Sequence, residues 1–241
     1  FPPVDGSEPG IALTAAEVTA LLREAMTVAN RARAQIRRPT GAAARVSVSI
    51  VDTAGNVLGV LRSRDAPLFG LDVAIQKART AVLLSSPDAA AALAGLPPAT
   101  YLDGGLTVLG TSAPGDYVTT LRDFLGSPTA LADGATAFTA RATGNLARPF
   151  FPDGVDGNAP GPFSRPAGAW SPFNTGLQLD TSYNAIIQHV AFVLGLAPDA
   201  GTSCAGVGGF DGGFATVPAA TTLANGLQIF PGSVPVYRGT T

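Results

Sequence analysis

Apolar positions change their spacing along this chain, and each spacing marks an element. Within residues 13–38 they recur every three or four positions. Val18, Leu21, Leu22, Ala25 and Val28 or Ala29 share one stripe, which predicts a helix with one buried face. Thr14 followed by Glu17 forms a capping box at its start, and Pro39 and Gly41 end it. In "ARVSVSIVDTAGNVLGVLRSRD" the period becomes two: Val46, Val48 and Ile50 alternate with Ser47, Ser49 and Val51. A turn containing Gly55 falls at 52–56 and the chain returns over 57–61, which predicts a β-hairpin. "GLDVAIQKARTAVLLS" resumes helical spacing, with Val73, Ala74, Ala78, Ala81 and Val82 inward and Pro87 beyond its end.

After residue 87 the texture changes. "SSPDAAAALAGLPPATYLDGG" predicts a short Ala-rich helix and "DYVTTLRDFLG" another. "RPFFPDGVDGNAPGPFSRPAGAWSPFN" is rich in Pro and Gly and has no period, which suits an ordered functional loop or a subunit contact. "DTSYNAIIQHVAFVLGL" predicts a further helix with Ile186, Ile187, Val190, Val193 and Leu194 on its packed face. "GTSCAGVGGFDGGFA" reads as a Gly-rich loop. "GLQIFPGSVPVYRG" reads as a strand, a Pro-Gly turn and a short return strand. No internal repeat is present.

Composition narrows the classes. With 241 residues, 46% of them apolar, and a net charge of −2, the chain is globular and long enough to bury a sizeable core. No apolar run is long enough for a membrane span. A pI near 5.3 argues against a nucleic-acid partner. Arg31, Arg33, Arg37 and Arg38 are a local exception, read as a solvated helix end favoured by the helix dipole. One His, one Cys and one Met exclude a zinc or iron–sulfur site built from this chain alone. The lone Cys204 has no internal disulfide partner. The sequence starts at Phe1 without a methionine or a signal-peptide pattern, so it is expected to be the mature form of an exported protein, periplasmic or extracellular.

Charge is sparse, at 13%, yet six charged side chains fall between Arg62 and Arg79, the only lysine, Lys77, among them. This region carries a resemblance. The hairpin "VSIVDTAGNVLGVLRSRDAP", the helix "DVAIQKARTAV" and the late "LQIFPGSVPVYRG" resemble the haem-binding HbpS/GlcG family, which includes the C-terminal domain of PduO. Asp52 and Gly55 fill its V-D-x-x-G-x hairpin, and Arg62, Arg64, Asp65 and Ala66 its R-x-D-g-A loop. Ala74, Lys77, Ala78, Thr80 and Ala81 fill its A-x-x-K-A-x-T-A helix. Gly232, Pro235 and Val236 match the late turn, with Ser233 where the family has a second glycine.

The resemblance implies an α/β (α+β) fold: an antiparallel sheet of about five strands with helices packed on it. It implies one domain over 1–241 with a Pro/Gly-rich insertion at about 87–220, similar to a larger exported branch of the family. It implies homo-oligomers and ties to haem or related tetrapyrroles. The family pattern continues past the late turn with a Gly-rich strand that closes the sheet. The sequence given stops at Thr241, so that strand is expected from a second polypeptide or from residues beyond. The expected function is an exported, oligomeric binder of haem or a related tetrapyrrole. The alternatives are a non-catalytic accessory subunit assembling with a partner chain and a haem-degrading or redox enzyme.

Candidate residues follow. Arg62, Arg64, Asp65, Lys77 and Thr80 would line an anion-accepting cleft for propionates or phosphates. Alternatively, Asp65 pairs with an arginine or caps the helix starting near Gly70, and Lys77 crosses to a partner subunit. His189, the only imidazole, is the default axial haem ligand, with Tyr183, Tyr237, Cys204 and Met26 as other iron-ligating side chains. Asp153, Asp156 and Asn158 in "FPDGVDGN" offer oxygens for Ca²⁺, although Asp-Gly pairs are also ordinary turn chemistry. No G-x-S-x-G supports a serine hydrolase. Phe150, Phe151, Phe163, Trp170 and Phe173 suit a ligand wall, a loop anchor or a subunit interface.

Overall fold

The computed structural model describes residues 1–165, 168, 176–199, 227–228, 230 and 232–239. The loop around Cys204 and the aromatics Trp170 and Phe173 lie outside the described residues.

The first helix, α1 (Ala15–Arg31), forms where the apolar stripe predicts, and its capping box is made. Glu17 N–H donates to Thr14 Oγ1 (3.3 Å) and Thr14 N–H donates to Glu17 Oε2 (2.8 Å). Strands β1 (Ser47–Val51) and β2 (Val57–Arg62) pair antiparallel, Ser47 opposite Arg62, with an irregularity between Ile50 and Val51. The predicted alternation holds. Val48 and Ile50 pack with Val18, Leu22 and Leu58 beneath α1. Gly59 permits this approach, because a Cβ there would stand 2.9 Å from Leu22 Cδ1 and 3.0 Å from Val18 Cγ1. The free edge of β2 is covered by the N-terminal arm, where Val4 N–H donates to Leu58 O (2.8 Å).

The hairpin turn is organised by Asp52, which is 3% exposed. Its carboxylate accepts from Asn56 N–H (2.8 Å), Asn56 Nδ2 (3.0 Å) and Ser7 Oγ (2.7 Å). Burial by itself would raise this carboxyl's pKa, but the donated hydrogen bonds outweigh it and hold the group below its ordinary range. Asp52 therefore occupies its place in the motif as a turn clasp.

Helix α2 (Gly70–Leu84) packs on the serine side of β1, where a Cβ on Gly70 would lie 3.6 Å from Ser47 Oγ. The Ser47 and Ser49 hydroxyls are buried without a hydrogen-bond partner among the described residues. Past α2 come α3 (Ala89–Ala94), β3 (Ala99–Leu102), β4 (Val108–Ser112), α4 (Pro114–Leu125), α5 (Ala140–Leu146), α6 (Gly176–Asp180) and α7 (Tyr183–Val193). A second, larger core gathers Leu83, Leu93, Val118, Leu121, Leu177 and Leu227 from this half. Helix α4 ends as expected for a left-handed glycine cap, at Gly126 with φ 62°.

Three expectations need correction. Among the described residues the strands form two separate two-stranded sheets, β1–β2 and β3–β4, rather than one sheet of about five. The β3–β4 hairpin falls where only an Ala-rich helix was expected. That helix stops at Gly95, and "TYLDGGLTV" then turns through Asp103, whose carboxylate accepts from Gly105 N–H and Thr107 N–H (2.8 Å each). The described part of the late segment forms no strand: Gln228 N–H donates to the Thr80 side chain, and Pro235 has no N–H to give.

The late segment is fastened at its far end by Arg238, whose Nη2 donates to both Glu17 oxygens (2.9 Å each). The hydrogen bond from Arg238, with those from Thr14, lowers the Glu17 pKa from 4.5 to about 2. A carboxyl with a depressed folded-state pKa supports the fold above its unfolded value and loses that support as pH falls toward the folded value. Arg238→Ala should move the Glu17 pKa back toward 4.5, read by NMR titration; an unmoved value would show that Thr14 alone sets it. Asp52→Ala should cost about 2 kcal/mol by stranding its donors. The check is a lower urea midpoint at unchanged slope.

Candidate functional site

The junction between β2 and α2 is built from its own backbone. Ser63 N–H donates to Val46 O (2.9 Å), and Ser63 Oγ accepts from Val46 N–H (2.8 Å). Arg62 Nε (3.1 Å) and Nη2 both donate to Ala66 O, closing the loop, and Asp65 sits at φ 63°. Arg64 and Asp65 are exposed. Among the described residues, Asp65 pairs with no arginine, and the α2 N-cap, Phe69, receives no side-chain cap.

Lys77 lies at the middle of α2, and Thr80 lies three residues beyond it. Lys77 lies about 10 Å along the axis from Gly70, two helical turns away. Its ammonium is half-buried, and burial pushes its pKa down. The late segment lies directly on it: a Cβ at Gly232, whose φ is +134°, would stand 3.1 Å from Lys77 Nζ. Thr80 is fully buried. Its hydroxyl accepts from Gln228 N–H (2.8 Å) and donates to Gln76 O (2.8 Å), while Gln228 Nε2 donates to Gln76 Oε1 (2.9 Å). Arg79 Nε donates to Gly55 O in the hairpin turn (2.9 Å). Burial lowers the Arg79 pKa and Asp72 partly offsets this. The residues of the expected cleft are thus split between the loop before α2 and the middle of that helix, about two turns on, with Thr80 engaged in holding the late segment.

His189 stands elsewhere, on α7, which packs against β3 and α6. Its side chain is 59% exposed, and Nδ1 lies 2.8 Å from Asp199 Oδ1. With Asp199 accepting from Nδ1–H, the Nε2 lone pair is left for a metal or a proton, and no partner meets it among the described residues. The Phe192 ring is 6.1 Å away, centroid to centroid. Ile186, Val190, Val193 and Leu194 are exposed, which reverses the expectation that this face packs inward. Helical spacing shows only that one face is apolar.

The "FPDGVDGN" loop does not gather oxygens around a point. Asp153 Oδ1 accepts from Val155 N–H (3.0 Å) and Asn158 Nδ2 (2.9 Å), so the loop is closed as a turn. Among the described residues no group of three acidic, His or Cys side chains could hold a metal ion, and the expected calcium site finds no support. Of the loop aromatics, Phe163 stacks edge-on with Tyr117 (5.1 Å) and Phe151 with Phe124 (5.7 Å), which makes both of them anchors.

Sequence reasoning passed over one constellation. Asp180, 4% exposed, accepts hydrogen bonds from Tyr101, Ser112 Oγ (2.6 Å) and Tyr117 Oη (2.9 Å). Tyr183 lies 4.4 Å from Tyr101, ring to ring, and its hydroxyl accepts from Leu102 N–H (3.0 Å). Burial, then the Asp180 carboxylate, push the Tyr101 phenol well above its ordinary pKa, and Tyr117 is raised by the same causes. Gly176 makes room, since a Cβ would fall 2.1 Å from Tyr117 Oη. Three of the four tyrosines meet here from separate elements, and their only advance signal was the scarcity of tyrosine itself.

The described part is thus an α/β unit in which one helix joins a β-hairpin to a helical second half. Residues 21–121 match the family model described as haem degrading protein HbpS-like, in agreement with the resemblance read from the motifs. The match spans α1 from Leu21 through most of α4 and so runs past residue 87. No curated protein and no solved structure matches the chain.

A phenol with a raised folded-state pKa supports the fold below its unfolded value, near 10, and that support is lost as pH rises through the folded value. Stability should therefore decline above about pH 10. Tyr117→Phe should cost about 1.5 kcal/mol at neutral pH and shallow the alkaline decline. Urea unfolding at neutral and alkaline pH checks both; an unaltered alkaline limb would remove Tyr117 from the network.

Proposed function

We propose that this chain is an exported, oligomeric binder of haem or a related tetrapyrrole. The match of residues 21–121 to an HbpS-like haem degrading family carries the reading. Two features support it. His189 has the chemistry of an iron ligand: an exposed imidazole oriented by a carboxylate and bordered by exposed Ile186, Val190 and Val193, against which a flat apolar ring could lie. Bound haem would supply an iron centre to such a ligand. Arg62 and Arg64 supply guanidinium groups of the kind that take carboxylates, although on a different element. Assembly is supported by β1, which has a partner strand on one side only among the described residues.

A second reading, an accessory subunit without a cofactor, is favoured by the exposed apolar residues of α7 and of Leu106 and Leu109 around β4. Haem titration of the purified protein separates the two. A Soret band saturating at a fixed ratio to protein is expected, and His189→Ala should abolish its low-spin form. Decay of the band with a reductant and oxygen would point to haem breakdown. No titratable band would leave the accessory-subunit reading.

A further inference from the structure

Three segments of this chain lie side by side at one end of the β1–β2 hairpin. Ser63 is bonded to Val46 through both its backbone and its hydroxyl. Ala44 N–H donates to Ala32 O (3.0 Å), and Arg33 bridges Ala43. The pole so formed takes residues 25–46 and 62–72, which hold seven of the chain's fifteen cationic side chains and only two of its seventeen acidic ones. No arginine among Arg31, Arg33, Arg37, Arg38, Arg45, Arg62 and Arg64 forms an ion pair among the described residues.

Its outermost feature is a preformed loop. Ala34 N–H donates to Ala42 O (3.1 Å) at its base, and turns at Arg37 N–H to Ala34 O (3.0 Å) and Ala42 N–H to Pro39 O (3.1 Å) fix its tip. Arg33 Nη1 donates to Arg31 O (3.0 Å) at the end of α1, and Arg38 Nη1 to Gln35 O (3.3 Å). Each guanidinium keeps donors on its other nitrogens for an incoming anion. Beside them in sequence Ile36 is 94% exposed, and on the 62–72 segment Leu68 and Phe69 are 71% and 73% exposed.

We propose that this pole docks on an anionic lipid surface, with the arginines on headgroup phosphates and Ile36, Leu68 and Phe69 entering the acyl boundary. Charge complementarity selects an anionic partner. The bare apolar tips on the same segments as the arginines select a membrane over an acidic protein, because only the membrane offers apolar depth behind its negative surface. Docking of this kind lies on the membrane and needs no spanning helix.

The test is co-sedimentation of the whole chain with vesicles of phosphatidylcholine alone or mixed with phosphatidylglycerol, at low and high salt. Binding to the mixed vesicles only, weakened by salt, is expected. Arg33→Ala, Arg37→Ala and Arg38→Ala together should weaken it about a hundredfold, from about fivefold per arginine. Ile36→Ser, on a side chain with no packing to lose, should weaken it about tenfold at unchanged charge and fold. No sedimentation with the mixed vesicles would overturn the proposal. So would binding indifferent to Ile36→Ser and equally competed by polyglutamate, which would assign the pole to an acidic protein. Neither variant touches His189, Arg62 or Arg64, so haem titration of both keeps this proposal separable from the haem reading.

Discussion

Helix α2 is buried on two sides, and the placing of the other elements follows from that. One side lies on β1, and Leu83 and Leu84 at its C-terminal end enter the larger core. An ordinary surface helix carries one apolar stripe and a solvated back. This one carries small residues, Ala74, Ala78 and the buried Ala81, and several of its polar side chains are turned into fasteners. Thr80 and Gln76 hold Gln228, Arg79 holds the hairpin turn, and Lys77 is roofed at Gly232. The late segment arrives from about 150 residues away and meets α2 through fixed donors and acceptors, so its position is specified by direction as well as by burial.

The chain's economy with charge has a structural counterpart. Among the described residues the two buried carboxylates, Asp52 and Asp180, are satisfied by neutral donors: a serine and an asparagine for the first, two tyrosines and a serine for the second. A carboxylate bonded this way needs no buried cation and escapes the desolvation of a second charge. Seven arginines, Arg31, Arg33, Arg37, Arg38, Arg45, Arg62 and Arg64, form no ion pair among the described residues, whereas Arg238 pairs with Glu17. The seven lie toward one pole. They remain available at one end of the hairpin, where they meet exposed apolar side chains and where any anionic ligand or surface would first be attracted.

Two kinds of information differed in how far the amino-acid order carried them. Elements with a strong local period, α1 with its capping box, the β1–β2 hairpin, α2 and α4, were legible, because spacing and cap chemistry act within a few residues. So was the likeness to the HbpS-like family model over residues 21–121, through the Asp52–Gly55 turn and the Lys77–Thr80 helix. The β3–β4 hairpin was missed because an Ala-rich, Pro-bounded stretch masked a short alternation closed by Asp-Gly-Gly. The Asp153 loop was over-read because the same Asp-Gly chemistry that binds cations also closes turns.

By itself the sequence determined the strongly periodic segments, and that one His, one Cys and one Met are too few for a zinc or iron–sulfur site from this chain alone. Tertiary structure decided what each face meets. Period alone could not tell that α7 leaves Ile186 and Val193 exposed, or that Arg64 stays on the exposed loop before α2 while Lys77 is half-buried at that helix's middle. Nor could it bring Tyr101, Ser112, Tyr117 and Asp180 onto one carboxylate. Local rules fix the face a side chain occupies, and only long-range packing fixes whether that face finds a core, another polar group or solvent.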